Sequence, residues 1–239
     1  GLGVIHRFLS IEEQAAAVHE VAEQGGPVAA AVGIDEDYLD RTEAILNAGG
    51  DAVVLDVAHG HMERALDAVA EIRAEYDPEL IAGKVGVGPG SHCTTREVAG
   101  AGYPQLSAVD ECADRADELG ITVMADGGIQ NSGDAAKALM AGAETVMMGG
   151  FFAGTDEAPG RVVTHNGERF KRSRGMASTA ANDDRDDKEI DVDSGEGVEA
   201  LTPYKGSLAP LTEEFIAGIR SGLSYCGGHT MPAAREKAV

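Results

Sequence analysis

The residue of this chain best placed to act as a nucleophile is Cys93, within Gly86-Val87-Gly88-Pro89-Gly90-Ser91-His92-Cys93-Thr94-Thr95-Arg96. Loop N–H donors, hydroxyls and the nearby Arg96 cation are surroundings in which a thiol attacks as thiolate. The other reading is a small buried hydrophobe, which is how Cys112 reads, inside an expected helix. Two further glycine-rich stretches are Ala125-Asp126-Gly127-Gly128-Ile129 and Met148-Gly149-Gly150. Glycines after strands let backbone N–H groups approach a phosphate, although they are also ordinary turn chemistry. With Asp126 between them, they suit a phosphate plus a ribose. Neither a G-x-G-x-x-G fingerprint nor a Walker A loop occurs. Asp56 closes Asp51–Val57 (DAVVLDV), where its carboxylate suits ribose hydroxyls or a helix cap. His59-Gly60-His61 raises a metal site, but no further His or Lys ligands at later strand ends support it.

These residues need a scaffold that brings several strand ends together. Short apolar runs at Leu2–His6, Pro27–Gly33, Asp51–Val57, Leu80–Ala82, Lys84–Val87, Thr122–Ala125 and Thr145–Met148 read as strands. Amphipathic helices alternate with them. Ser10 and Glu13 form a capping box ahead of a helix with Ile11, Ala15, Val18 and Ala22 on one face. Helices follow at Tyr38–Ala48, from Met62 to Tyr76, around Leu106, Val109, Ala113 and Ala116, at Ala135–Met140 and at Thr212–Ser221. Continuous apolar strands alternating with helices mean a parallel sheet covered on both faces. Seven such strands favour an α/β (β/α)8 barrel over a doubly wound sheet, with the site at the C-terminal strand ends. One junction is odd. Ile81-Ala82-Gly83 runs straight into Lys84-Val85-Gly86-Val87, whereas parallel neighbours need a crossover of roughly a dozen residues. Either one strand is bent or a crossover helix is missing.

Composition narrows the partners. Forty-one acidic residues against nineteen basic ones give a net charge of −22. Such a field repels nucleic acid and anionic lipid, and the spread of acids over nearly every helix suits a halophile-type solvated surface. No apolar run is long enough to span a membrane, and Gly1–His6 lacks the pattern of a signal peptide. Three widely spaced cysteines suit a reducing cytoplasm. The acidic, period-free Asn182–Glu199 reads either as a solvated loop or as a lid; as a calcium loop it fails, because Gly195 falls at a ligand position.

The motifs GPGSHCTTR, GYPQLSAV, ADGGI..SGD..KAL.AGA..VM.G, AGT.EAPG, RGM, EGVE..PYKG and GIRSGLSYCGG, together with GLGVIHR and DVAHGH, resemble the IMP dehydrogenase / GMP reductase family in matching order. The resemblance implies a (β/α)8 barrel, a homotetramer, and NAD- or NADPH-dependent chemistry on IMP or GMP. It assigns Cys93 as the nucleophile at purine C2 and Thr95 as its catalytic neighbour. Ser91, Gly128, Gly149 and Gly150 correspond to phosphate ligands, and Asp126 to the ribose ligand. Gly175, Met176 and Glu196 fall on the substrate side, with Glu196 toward the base, and Asp56 toward the cofactor ribose. Gly88, Gly90 and Cys93 match a potassium site. The resemblance also makes 173–206 a mobile flap of a single domain 1–239, and marks the first strand and one crossover helix as absent.

Direction is divided. GYPQLSAV..EC, DVA and Met148-Gly149-Gly150 resemble the reductases; ADGGI..SGD, AGT.EAPG, RGM and EGVE resemble the dehydrogenases. The dehydrogenases' water-activating Arg-Tyr pair is absent, since Asp186 follows Arg185. Thr179 replaces the reductases' flap glutamate, and Ser173 the tyrosine that reaches the phosphate. The missing Arg-Tyr pair favours the reductase, with dehydrogenase and a degenerate nucleotide-binding fragment as alternatives.

Overall fold

The computed structural model describes residues 1–57, 63–76, 81–175, 178 and 198–238. Six strands form one sheet in sequence order: β1 (Gly3–Ile5), β2 (Val28–Val32), β3 (Ala52–Leu55), β4 (Ile81–Val85), β5 (Thr122–Asp126) and β6 (Thr145–Met147). The first four pair in parallel. Between successive strands run α1 (Ile11–Glu23), α2 (Tyr38–Asn47), α3 (Glu63–Tyr76), the short α4 (Thr95–Val98) with α5 (Gln105–Leu119), and α6 (Ser132–Met140). Strand order that follows the chain, with a helix at each crossover, is barrel topology rather than a doubly wound sheet, in which the order reverses.

The chain divides into two compact units. The first comprises Gly1–Val85 and Asp114–Met124. Every residue of β2 (VAAAV) and β3 (AVVL) is buried, as parallel strands covered on both faces must be. Its core joins Val18, Val28, Val32, Ile45, Val53, Leu55, Val69 and Ile72. The capping box forms as read: Ser10 Oγ accepts from the Glu13 N–H at 3.2 Å, and Glu13 accepts from the Ser10 N–H at 3.2 Å. One core member escapes a hydrophobicity reading. Gln14 is fully buried and donates to the carbonyl of Ala31 at 2.9 Å, while its own oxygen accepts from Arg41 at 3.0 Å.

At the odd junction the structure has one strand, the first of the two readings the sequence allowed. β4 pairs with β3 through Val53↔Ile81, Val54↔Ala82 and Leu55↔Gly83, and continues through Lys84 and Val85 without a crossover. An extended strand keeps the ladder bonds unbroken with no intervening helix, so the two short runs read as separate strands are one.

The second unit comprises 86–113 and the described residues of 125–184 and 192–239. Here α6 packs on α7 (Leu208–Tyr225) and α8 (Met231–Arg235). A second, antiparallel sheet holds β7 (Val162–His165), β8 (Glu168–Arg174) and β9 (Glu199–Pro203) in that order. The sequence reading assigned no strands here. The available signal was Asn166-Gly167 between two extended runs: both residues have positive φ, 52° and 83°, as the two-residue hairpin turn that matches strand twist requires. Lys171 of β8 is only 3% exposed and donates to the carbonyls of Thr155 (2.7 Å), Asp156 (3.2 Å) and Ala158. It thereby fixes the loop ahead of the hairpin.

Candidate active site

The loop Gly86–Thr94, leading from β4 into α4, carries the candidate nucleophile. Arg96 braces it: Nε donates to the Val87 carbonyl at 3.1 Å and Nη2 to that of Tyr103 at 2.8 Å. The guanidinium expected to polarise the thiol is therefore spent on backbone carbonyls. The partner of Cys93 is a hydroxyl instead, with Sγ 3.1 Å from Thr95 Oγ1. The Cys93 N–H donates to the Gly90 carbonyl at 3.1 Å, closing a turn that points residues 91–93 back over the loop. Cys93 is half-buried.

Two of the glycine stretches meet this loop. A Cβ on Gly127 would lie 2.8 Å from Pro89 Cγ and 2.9 Å from the Gly90 nitrogen, and Gly127 has φ of +83°. Only glycine satisfies both the backbone conformation and the approach. A Cβ on Gly150 would lie 2.6 Å from Ser91 Oγ. Ser91 thus stands against the Gly149-Gly150 turn, and Gly128 follows Gly127 beside Pro89. Asp126 ends β5 beneath them, its carbonyl accepting from Gln105 Nε2 at 3.1 Å. Gly175 joins through the end of β8: its N–H donates to the Val198 carbonyl (3.1 Å), and the Val198 N–H donates to the His92 carbonyl (3.0 Å). The structure accordingly gathers Ser91, Cys93, Thr95, Gly127, Gly150 and Gly175 around one loop.

Asp56 belongs to the other unit. It sits just past β3 and pairs with Lys84 Nζ at 2.7 Å, a contact created by the uninterrupted β4. A ribose hydroxyl at Asp56 would share the carboxylate with that ammonium. His59, His61, Met176, Thr179 and the stretch 182–197, Glu196 included, lie outside the described residues. Among the described residues no cluster of three or more His, Cys, Asp or Glu could hold a metal. Of the potassium positions, the Gly90 carbonyl already accepts from Cys93, which leaves it one lone pair. Cys112 behaves as a structural cysteine: burial first, then the Glu111 charge, push its thiol up, so it stays protonated.

His92, inside the GPGSHCTTR motif, has a role that the sequence does not show. His92 bonds Ser91 Oγ through Nδ1 at 3.0 Å and Ser173 Oγ through Nε2 at 2.8 Å. An adjacent Ser-His pair gives no hint of a partner 81 positions away.

The IMP dehydrogenase / GMP reductase domain family matches residues 1–85 and 84–239, two segments that meet inside β4. The chain belongs to this family. It is similar to an enzyme named inosine-5'-monophosphate dehydrogenase from Nitrosopumilus maritimus, 47% identical over 88% of this chain and 50% of that protein. A protein of that name from Halobacterium salinarum is 42% identical, covering 100% of this chain and 52% of its own length. The GMP reductase of Leishmania major is 42% identical over 88% of this chain and 49% of that one. Among solved structures, a cysteine-to-alanine variant of GMP reductase from Trypanosoma brucei, in complex with guanosine 5'-monophosphate, matches with TM-score 0.79 and 39% identity. It covers 88% of this chain and 48% of that one. The chain therefore spans about half the length of these relatives. The Halobacterium match extends over 263 positions against 239 residues here, so this family member is the shorter over the shared region. The fold is an incomplete (β/α)8 barrel, and β4 runs on without a crossover.

Proposed function

We propose that the chain is an NAD(P)-dependent purine nucleotide oxidoreductase that uses Cys93 as its nucleophile, in the GMP reductase direction. The observation that carries the reading is the Cys93–Thr95 pair, 3.1 Å apart, on a loop seated against Gly127 and Gly150. Backbone amides at Gly128, Gly149 and Gly150 with the Ser91 hydroxyl suit a 5'-phosphate, and Asp126 suits ribose hydroxyls. The relative solved with guanosine 5'-monophosphate supports this class of ligand. Substrate roles for Gly175, Met176 and Glu196 are part of the same proposal.

In this reading the Cys93 sulfur forms a bond to C2 of GMP while the Thr95 hydroxyl holds the sulfur in line. The C2 amino group, once protonated, leaves as ammonia, so sulfur replaces nitrogen on a carbon whose oxidation level is unchanged. A nicotinamide cofactor, whose ribose Asp56 would hold, would supply the hydride for C2. The C–S bond breaks, its electron pair returns to sulfur, and IMP is released. The reductase is favoured because the sequence has no Arg-Tyr pair to activate water. The dehydrogenase, in which hydride leaves IMP and water cleaves the thioimidate to xanthosine monophosphate, is the second reading; relatives of that name at 42–47% identity favour it. Carbonyls of Gly88, Gly90 and Cys93 are hard donors that suit potassium. The single domain 1–239, the flap over 173–206, a homotetramer and a cytoplasmic home belong to the same proposal. Among the described residues no helix is long and apolar enough to cross a membrane.

Incubation with GMP plus NADPH, and separately with IMP plus NAD, decides among the readings. Loss of NADPH absorbance with ammonia release supports the reductase, NADH formation the dehydrogenase, and silence in both a chain that binds without turnover. Cys93→Ser is expected to lower either rate on the order of a thousandfold or more, while Cys112→Ser leaves it unchanged. An undiminished rate in Cys93→Ser rules out the covalent mechanism.

A further inference from the structure

The side chain of His92 lies in a continuous line of hydrogen bonds that begins at the glycine turn and ends in the second sheet. Ser91 Oγ meets His92 Nδ1 at 3.0 Å, His92 Nε2 meets Ser173 Oγ at 2.8 Å, and Ser173 Oγ meets Thr202 Oγ1 at 2.7 Å. All four residues belong to the second compact unit. Ser173 lies in β8 and Thr202 in β9, where Thr202 is 9% exposed. The Val198 N–H donates to the His92 carbonyl at 3.0 Å, so backbone and side chain are both anchored near these strands. At its other end the line stops at Ser91, whose oxygen fills the space over Gly150 that a Cβ would otherwise occupy.

We propose that His92 is a positioning residue that sets the direction of the Ser91 hydroxyl, and through it the affinity of the Gly149-Gly150 turn for a phosphorylated ligand. This rests on the phosphate reading of that turn. The argument is a count of hydrogens. Ser91 carries one O–H, and neutral imidazole one N–H. If Ser91 gives its hydrogen to Nδ1, the serine has no donor left for an anion. If a phosphate takes the Ser91 hydrogen, Ser91 Oγ is free to accept one from Nδ1–H. Nε2 is then the acceptor, and Ser173 O–H donates to it at 2.8 Å rather than to the Ala200 carbonyl at 3.4 Å. Thr202 O–H in turn donates to Ser173 Oγ. In that arrangement every hydroxyl hydrogen points toward the phosphate end. With Ser173 donating to Nε2, the strand residues Ser173 and Thr202 support the tautomer that presents Ser91 as a donor. A hydrogen bond to a charged group is worth about 1.5–3 kcal/mol, so losing the Ser91 donor should weaken phosphate recognition roughly 10- to 100-fold.

The measurement is a ratio: affinity by titration calorimetry for GMP against guanosine, and for IMP against inosine, on the full chain. In His92→Ala the Ser91 hydroxyl keeps its hydrogen but loses the imidazole that directs it, so the nucleotide-over-nucleoside ratio should fall by up to roughly 10-fold, with nucleoside affinity unchanged. Ser173→Ala should lower the ratio in the same sense, and Ser173→Thr, which keeps the hydroxyl, should restore it. A fold defect would weaken both ligands alike and leave the ratio intact. If His92→Ala does not fold, the Ser173→Ala and Ser173→Thr pair carries the test. A wild-type chain that prefers nucleotide, with a ratio that does not move in these variants, overturns the role of His92 and leaves the phosphate site standing. A wild-type chain that binds nucleotide and nucleoside equally overturns the phosphate reading and this inference with it.

Discussion

The two compact units differ in how their residues are fixed, although each buries both apolar and polar side chains. The first buries aliphatic side chains on both faces of β2 and β3, and its largest fully buried residues include Ile45, Ile72, Val32 and Val53. The second also buries apolar side chains such as Val109, Leu139 and Phe215, but Thr155, Lys171, Ser178 and Thr202 are buried with them, and glycines at 127 and 150 allow backbone and side chains to approach. Aliphatic packing is tolerant of detail and supplies stability; directed hydrogen bonds supply geometry at little net gain. Cys93, Ser91 and His92 all sit where geometry is fixed by such bonds. The candidate nucleophile loop lies in the second unit, where these bonds hold it.

That contrast can be broken or sharpened in order of expected effect. Ile72→Ala, in the first unit, should cost about 2–5 kcal/mol of unfolding free energy. Nucleotide affinity measured well below the unfolding midpoint should not change, and a parallel loss would show the two units to be one cooperative body. Lys171→Met, in the second unit, strands carbonyls of Thr155, Asp156 and Ala158 and should cost about 1–3 kcal/mol for the unmet groups. Denaturant titration reads the loss. Gly127→Ala should cost about 1–2 kcal/mol for its left-handed backbone alone. Because its Cβ would push into Pro89 and Gly90, turnover should fall more steeply than stability; proportionate losses would detach Gly127 from the site.

The smallest effect concerns pH. The Lys137 ammonium, followed by backbone N–H groups of Gln130 and Asn131, holds the Asp134 carboxyl below the usual aspartate range. A lowered folded value means stability that is present above the ordinary value of about 4 and is lost as pH falls through the folded value. The stability difference between wild type and Asp134→Asn should therefore be constant at neutral pH and shrink in acid. Persistence of the full difference in acid would contradict the assignment.

Where the sequence was readable, one element sufficed to read it. The capping box at Ser10 and Glu13, the apolar runs of β2 and β3 and the helical spacing of α3 each express a local rule. The glycine stretches at 86–90, 127–128 and 149–150 were visible too, because a turn that needs glycine names its residue. Only local signals of this kind survive in a chain read one window at a time. The Asn166-Gly167 turn was such a signal, overshadowed by the acidic run after it. By contrast, the pairing of Lys84 with Asp56 required the strand to run through the junction, which the sequence left open between one strand and a missing crossover.

Residue types by themselves determined the barrel alternation, the candidate nucleophile and the family. Tertiary structure alone decided that Arg96 braces the loop rather than facing the thiol, that Gln14 belongs to the core, and that His92 reaches Ser173. The physical reason is range. Propensity, capping and turn conformation act over a few residues, whereas a side chain's hydrogen-bond partner is chosen by whatever the completed fold places within about 3 Å.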